Sequence, residues 1–172
     1  MIYRKYIFTH IYYLLILTLG LTSCGVYSFS GASIPENAQT ISISYIKNQA
    51  DLIQPSLSNS LTEALINKCL TETNLNLKDQ DADISFSGRI VKYNVQPISI
   101  QNNETAAQNR LTIKVEITYI NNIQESHNFN KTFIDYTDFN SSELFSEIEE
   151  ELNDIIIKNL VDDIFNAAFI NW

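Results

Sequence analysis

The sequence predicts an α+β fold in which two helices pack on one face of a four-stranded, mainly antiparallel sheet, in the order β-α-β-β-β-α. Two segments carry apolar residues at three- and four-residue steps, which is typical of amphipathic helices. Four segments alternate apolar and polar residues, which is typical of half-buried strands. The chain has only 4 Gly and 3 Pro, and this scarcity favours regular elements over long irregular connections.

The first strand is predicted over residues 40–46 (TISISYI), where two isoleucines and a tyrosine alternate with two serines and an isoleucine. The first helix is predicted over residues 56–70, with Ser56 as its N-cap. Cys69 falls on the apolar face of this helix, so we expect a packed thiol rather than a reactive one. The apolar face comprises Leu57, Leu61, Ala64, Leu65 and Cys69.

Three further strands are predicted over residues 83–96, 110–120 and 127–136. In the first of them the alternation changes phase around Val91–Lys92, which indicates a β-bulge or the end of the strand. The short link NNIQES between the last two predicts an antiparallel hairpin. The connection QNNETAAQN is longer and polar, and we expect it to be mobile. The strand over residues 110–120 is the clearest, with Leu111, Ile113, Val115, Ile117 and Tyr119 predicted to face inward.

A long final helix is predicted from Ser142 to about Phe169, with Ser141 or Ser142 as its N-cap and Glu143 near its positive end. Its charged residues Glu147, Glu149, Glu150, Glu151 and Asp154 are expected to form a solvated face. Its apolar face is predicted to comprise Leu144, Phe145, Ile148, Leu152, Ile155, Ile156, Leu160, Ile164, Phe165 and Ala168.

Residues 1–23 have the features of a cleaved secretory signal, with Arg4 and Lys5 followed by a short apolar run. The sequence LTSC that ends this segment resembles the lipobox of bacterial lipoproteins, in which the cysteine carries acyl chains. Lipidation at Cys24 is therefore expected, with a tether over residues 24–39 and one domain over residues 40–172. A secreted protein in which Cys24 is a free thiol is the alternative. Because no acidic residue precedes Glu36, we expect the periplasmic face of the outer membrane.

Composition and side-chain chemistry exclude several classes of function. Without Arg4 and Lys5, 9 basic residues face 20 acidic ones, a net charge of −11, so nucleic acid is not an expected partner. His127 is then the only histidine, and no metal site, cofactor or catalytic group is predicted. The three glycines beyond residue 23 form no phosphate-binding loop. We therefore expect a protein that is not an enzyme.

One possible contact site is a set of basic residues on the outward face of the predicted sheet. Arg89, Arg110 and Lys114 share this face if their strands are neighbours, and they suit an anionic headgroup or an acidic partner loop. The alternative interpretation is that they form ordinary cross-strand ion pairs, for example with Glu116.

Five segments in order resemble the LptE family of lipopolysaccharide-assembly lipoproteins, in its Bacteroidetes-type branch. They are CGVYSFSGASIPENAQTISI, LSNSLTEALINKCL, AAQNRLTIKVEITYIN, FIDYTDF and ELNDIIIKNLVDDIFNAAFINW. The resemblance implies two helices on a four-stranded sheet and a lipidated Cys24. It also implies partnership with LptD, a large outer-membrane β-barrel that the protein partly plugs while lipopolysaccharide reaches the outer leaflet. Whether lipopolysaccharide contacts the domain directly stays open.

The sequence is also compatible with two other functions. One is a lipoprotein adaptor of a different envelope machine, since small α+β modules serve many assemblies. The other is a periplasmic module that binds a lipid or another apolar ligand in a cavity between sheet and helices.

Overall fold

The computed structural model describes residues 34–98 and 108–170. These residues form six strands, two α-helices and a 3₁₀ turn. The elements are β1 Thr40–Ile43, β2 Lys47–Asn48, α1 Leu57–Glu72, β3 Asn76–Leu77, β4 Ile84–Ile98, β5 Gln108–Asn121, the turn Glu125–His127, β6 Phe129–Asn140 and α2 Phe145–Phe169.

The sheet has six strands rather than the predicted four. Its order is β3-β1-β4-β5-β6, and β2 pairs with the same edge of β4 as β1 does. β4, β5 and β6 are joined by long antiparallel ladders, whereas β1, β2 and β3 make only short parallel pairings. The α+β class and the mainly antiparallel sheet are confirmed, and the strand count was wrong.

The predicted first strand is interrupted because Ile46, and not Tyr45, turns into the core. Ile46 is 1% exposed and its N–H donates to Thr62 Oγ1 at 3.1 Å. Tyr45 is 54% exposed as a result. The alternation therefore fails over residues 44–46, and the segment splits into β1 and β2.

A β-bulge in β4 confirms the predicted phase change. The register with β5 shifts between Ile90 and Lys92. Ile90 and Tyr93 both face the core, at 0% and 3% exposed, so Lys92 is turned to the opposite face. One extra residue in the strand thus reverses the orientation of all residues that follow it.

The core lies between one face of the sheet and the two helices. All five predicted inward residues of β5 are 0% exposed. Phe86, Tyr119 and Phe169 pack their rings together with centroids 5.0–6.1 Å apart. Cys69 is buried in the same cluster, and burial raises its pKa to about 12, so the predicted packed thiol is confirmed.

The N-cap position of α1 is at the predicted residue, whereas that of α2 is not. Ser56 precedes α1, but its side chain makes no capping bond; Gln54 Oε1 accepts from the Leu57 N–H at 2.8 Å instead. α2 starts at Phe145, and Leu144, not a serine, precedes it. Because β6 continues to Asn140, the residue Ser142 belongs to the turn before the helix, where its N–H donates to Asn140 Oδ1 at 2.9 Å.

Two predicted members of the apolar face of α2 are exposed, Leu144 at 65% and Ile155 at 42%. Ile157 and Val161, which were not predicted, are buried at 4% exposed each. Phe145 and Ile148 are only partly buried. The helix therefore buries a face rotated slightly from the predicted one, because α2 packs against both α1 and the sheet.

The segment before β1 is attached to the domain through Asp83. Asp83 Oδ2 accepts from the N–H groups of Gln39 and Thr40 at 3.0 and 2.9 Å, and from Thr40 Oγ1 at 2.8 Å. These hydrogen bonds, the one from Gln39 foremost, lower the pKa of Asp83. Cys24 and the predicted signal lie outside the described residues, as does most of the connection QNNETAAQN. None of the described helices is both long enough and apolar enough to cross a membrane.

Candidate functional site

The face of the sheet that points away from the helices carries the candidate site. The register of β5 with its two neighbours defines rows of side chains across this outer face. From one end to the other, the rows are Ser87–Thr118–Asn130, Arg89–Glu116–Thr132, Lys92–Lys114–Ile134, Asn94–Thr112–Tyr136 and Gln96–Arg110–Asp138.

Arg89 is held by its neighbour in the same row. Its Nε donates to Glu116 Oε2 at 2.9 Å, and its Nη2 lies 2.7 Å from the same oxygen. This is the cross-strand ion pair that the alternative interpretation of the basic residues predicted. The charge of Arg89 is thereby largely balanced within the sheet.

Arg110 is also paired, at the far end of the face. Its Nε and Nη2 donate to the two carboxylate oxygens of Asp138 at 2.7 and 2.9 Å, and its guanidinium lies 3.7 Å from the ring centroid of Tyr136. The hydrogen bonds to Asp138 raise the pKa of Arg110, and the bond from Arg110 lowers the pKa of Asp138. Glu116, the partner of Arg89, lies six positions beyond Arg110 on β5, so the two arginines are about 20 Å apart.

Lys114 lies between the two arginines and directly opposite Lys92. No ion pair within 4.0 Å involves either lysine among residues 34–98 and 108–170. These two residues, here named the lysine pair, therefore carry two positive charges that no described carboxylate balances within 4.0 Å. Like charges directly opposite each other destabilise a sheet. The face beside the lysine pair is partly apolar, since Ile134 and Tyr136 are 56% and 49% exposed.

The predicted basic residues thus share the outer face, but the structure does not bring them into one cluster. Sequence reasoning missed Lys92, which strict alternation places on the inner face. The phase change at Val91–Lys92 was the signal that could have identified it, because a bulge there moves Lys92 to the outer face beside Lys114.

Other chemistry is sparse in the part of the chain that the structure describes. Within it, no group of three or more His, Cys, Asp or Glu side chains is arranged to hold a metal ion. His127 lies in the 3₁₀ turn before β6. A surface groove of about 470 Å³ runs between α1 and α2, with Ala64, Ile157 and Val161 in its floor.

A protein-family model matches this chain. The model of a family described as LptE, lipopolysaccharide-assembly, matches residues 38–168, which is most of the chain. Among curated protein sequences, no match is found.

Solved structures of similar fold come from several bacteria. A putative neuraminyllactose-binding hemagglutinin homolog from Helicobacter pylori has a TM-score of 0.51 at 8% identity, over 81% of this chain and 88% of that one. A minor lipoprotein from Acinetobacter baumannii has a TM-score of 0.47 at 16% identity, over 71% and 91%. The rare lipoprotein B from Shewanella oneidensis has a TM-score of 0.45 at 12% identity, over 75% and 90%. At these identities the likeness concerns the fold alone.

Proposed function

Because this chain belongs to the LptE family of lipopolysaccharide-assembly proteins, we propose that it acts in the outer membrane as the lipid-anchored partner of an LptD-like β-barrel. Together the two deliver lipopolysaccharide to the outer leaflet. The single observation that carries this proposal is the family match over residues 38–168. It covers all six strands and nearly all of α2.

The surface of the domain is compatible with a place inside or against a barrel. The lumen of a large outer-membrane barrel is polar, so a domain that enters it needs hydrophilic surfaces on more than one side. The outer sheet face offers rows of Ser, Thr, Asn and charged side chains. On the opposite side, Glu147, Glu150, Glu151 and Asp154 are exposed along α2.

Cys24 supplies the membrane attachment in this proposal. One acyl chain binds a bilayer only marginally, whereas two or more give stable anchoring. A multiply acylated Cys24 therefore holds the domain on the periplasmic face of the outer membrane, and the tether up to residue 39 sets how far it reaches.

The test is a native pull-down of a C-terminally tagged chain from outer membranes, followed by mass spectrometry. The wild type is expected to retain a large LptD-like barrel at near-stoichiometric yield. Cys24→Ala is expected to leave the membrane fraction, which checks the anchor separately. A membrane-anchored chain that retains no barrel would contradict the partnership and leave the anchor intact.

We further propose that the outer sheet face contacts the anionic headgroup of lipopolysaccharide. Arg89, Arg110 and Lys114 were the predicted contacts, and we centre the proposed site on the lysine pair, because Lys92 and Lys114 lie directly opposite each other. Lys92 and Lys114 have no acidic partner among the described residues, so a phosphate there gains two charge-assisted contacts without breaking an existing pair. Arg89 and Arg110 border the site while bound to Glu116 and Asp138.

Lys92→Ser combined with Lys114→Ser tests this contact. Binding of purified lipopolysaccharide in detergent is expected to weaken at least tenfold, because both phosphate contacts are removed. The matched control is Lys78→Ser combined with Lys131→Ser, which makes the same change of net charge elsewhere on the surface and is expected to bind normally. Equal binding by the wild type and the folded Lys92/Lys114 variant would refute the headgroup contact.

A further inference from the structure

The interruption between β1 and β2 creates a depression on the outer face. Ser44 and Gln49 keep backbone hydrogen bonds to β4, from Ser44 N to Phe86 O at 2.9 Å and from Gln49 N to Ile90 O at 2.8 Å. Between them, Ile46 turns into the core and Tyr45 turns outward. Tyr45 then borders an open depression of about 390 Å³, here named the Tyr45 basin.

The wall of the Tyr45 basin is made of hydroxyl and amide side chains. Ser87, Thr118 and Asn130 form one row across β4, β5 and β6, and strands lie about 4.8 Å apart, so this row spans about 10 Å. None of the side-chain hydrogen bonds of the described residues uses these three side chains. Donors and acceptors in a fixed row are therefore free to bind a ligand.

The remaining side chains around the basin narrow the class of ligand. Tyr45 is 54% exposed and has no aromatic neighbour among the ring contacts of the described residues, so its ring face is open. Lys47 and the balanced pair of Arg89 and Glu116 complete the rim. An apolar ligand is disfavoured because it would bury the free hydroxyl and amide groups without hydrogen bonds.

The geometry points to a saccharide-binding subsite in the Tyr45 basin. A pyranose ring presents an apolar C–H face, which stacks on the ring of Tyr45, and a rim of hydroxyls that both donate and accept. The hydroxyls of Ser87 and Thr118 and the amide of Asn130 match this rim. Small-ligand sites commonly combine one aromatic platform with a few such polar groups.

The basin and the lysine pair lie on the same face of the sheet, with the row of Arg89 and Glu116 between them. The row of Arg89 and Glu116 borders the basin, and the lysine pair is the next row, two residues further along β5 or about 7 Å. The hydroxyl row at Thr118 is four residues from Lys114 along β5, or about 14 Å. A phosphorylated oligosaccharide of a few sugars therefore spans from the lysine pair, which holds its phosphate, to a sugar ring at Tyr45. In naming the saccharide as part of the ligand, this inference rests on the function proposed above.

The experiment uses the deacylated oligosaccharide of the bacterium's own lipopolysaccharide, with and without its phosphates. Binding to the folded protein is measured by saturation-transfer NMR and calorimetry. The dephosphorylated oligosaccharide is expected to bind the wild type and to lose at least tenfold in affinity with Tyr45→Ser. Ile155→Ser, which removes a comparably exposed large side chain on α2, away from the outer sheet face, is the matched control and is expected to bind within twofold of the wild type.

Two further variants separate the subsites. Thr118→Val keeps the size and strand preference of the residue and removes one hydroxyl, so it is expected to weaken binding about threefold or more. The combined Lys92 and Lys114 substitutions are expected to weaken only the phosphorylated oligosaccharide.

No binding of the dephosphorylated oligosaccharide to the wild type, or equal binding by Tyr45→Ser, would overturn the saccharide subsite. Neither result affects capture of the barrel in the pull-down. Loss of barrel capture with sugar binding retained would instead overturn the proposed assembly role.

Discussion

Gly88 is the residue at which β4 and β5 leave no room for a side chain. A Cβ added there would meet the backbone oxygen of Glu116 and lie 2.7 Å from Ile117 Cδ1. Because the nearest obstacle is backbone, the strands must move apart to accommodate it. This close approach lies under the Arg89–Glu116 row of the candidate site.

Gly88→Ala is therefore predicted to lower the free energy of unfolding by about 1–3 kcal/mol, as overpacking in a core does. Ser87→Ala, one residue earlier and exposed, is the control and is expected to change it by less than about 0.5 kcal/mol. Urea unfolding followed by circular dichroism measures both. Equal midpoints for the two variants would show that the ladder relaxes freely at Gly88.

Asp83 gives a prediction about pH. Its hydrogen bonds from Gln39 and Thr40 hold its pKa below the ordinary value of 3.8, so the folded state favours the ionised form. The stabilisation is fully present above the unfolded pKa and is lost as the pH falls through the folded pKa. The stability difference between the wild type and Asp83→Asn is therefore predicted to shrink as the pH is lowered from 6 towards 2.

Urea unfolding at a series of pH values measures this difference. Asp81→Asn is the control, since no hydrogen bond of the described residues uses the Asp81 carboxylate. A difference between wild type and Asp83→Asn that stays constant over this range would contradict the prediction.

At the residue scale, the sequence identified the inward side chains of β5 but not the pairing of Lys92 with Lys114 or the exposure of Tyr45. Both depend on local departures from strict alternation. The bulge after Ile90 exchanges the sheet faces towards which the later side chains of β4 point. The hydrogen bond from the Ile46 N–H to Thr62 Oγ1 does the same for residues 45 and 46. The alternation of apolar and polar residues within a strand cannot predict a contact with a residue on a helix elsewhere in the sequence.

At the scale of elements, long periodic segments were predicted well and short ones were not. The apolar pattern of α2 repeats over many turns of its 25 residues. The helix was therefore predicted correctly, although the predicted N-cap, Ser141 or Ser142, was wrong. β2 and β3 have two residues each. A period of two residues cannot be recognised in so short a segment, so these strands had no signal in the sequence.

The rotated face of α2 is itself testable. Leu160 is 0% exposed in the core, whereas Ile155 is 42% exposed on the same helix. Leu160→Ala is predicted to cost about 2–5 kcal/mol of unfolding free energy, and Ile155→Ala well under 1 kcal/mol because little buried area is lost. Similar losses for the two variants in urea unfolding would place Ile155 in the core, as the apolar spacing had indicated.

At the scale of the whole molecule, the two faces of the sheet differ in their surroundings. The two described helices and the inner sheet face form the core, and neither α1 nor α2 covers the outer sheet face. The α+β class and the family could be predicted from the sequence because patterns and motifs extend over the whole chain. The layout of the outer face could not, since it depends on the register of three strands.

We propose that this protein, acting with an LptD-like barrel, is needed for lipopolysaccharide to reach the cell surface. The most direct measurement is depletion of the protein in its own bacterium, with the appearance of newly made lipopolysaccharide at the surface followed over time. Surface delivery is predicted to stop as the protein is lost and to resume when the wild-type chain is restored. Undiminished delivery after complete depletion would contradict the proposed role in lipopolysaccharide assembly.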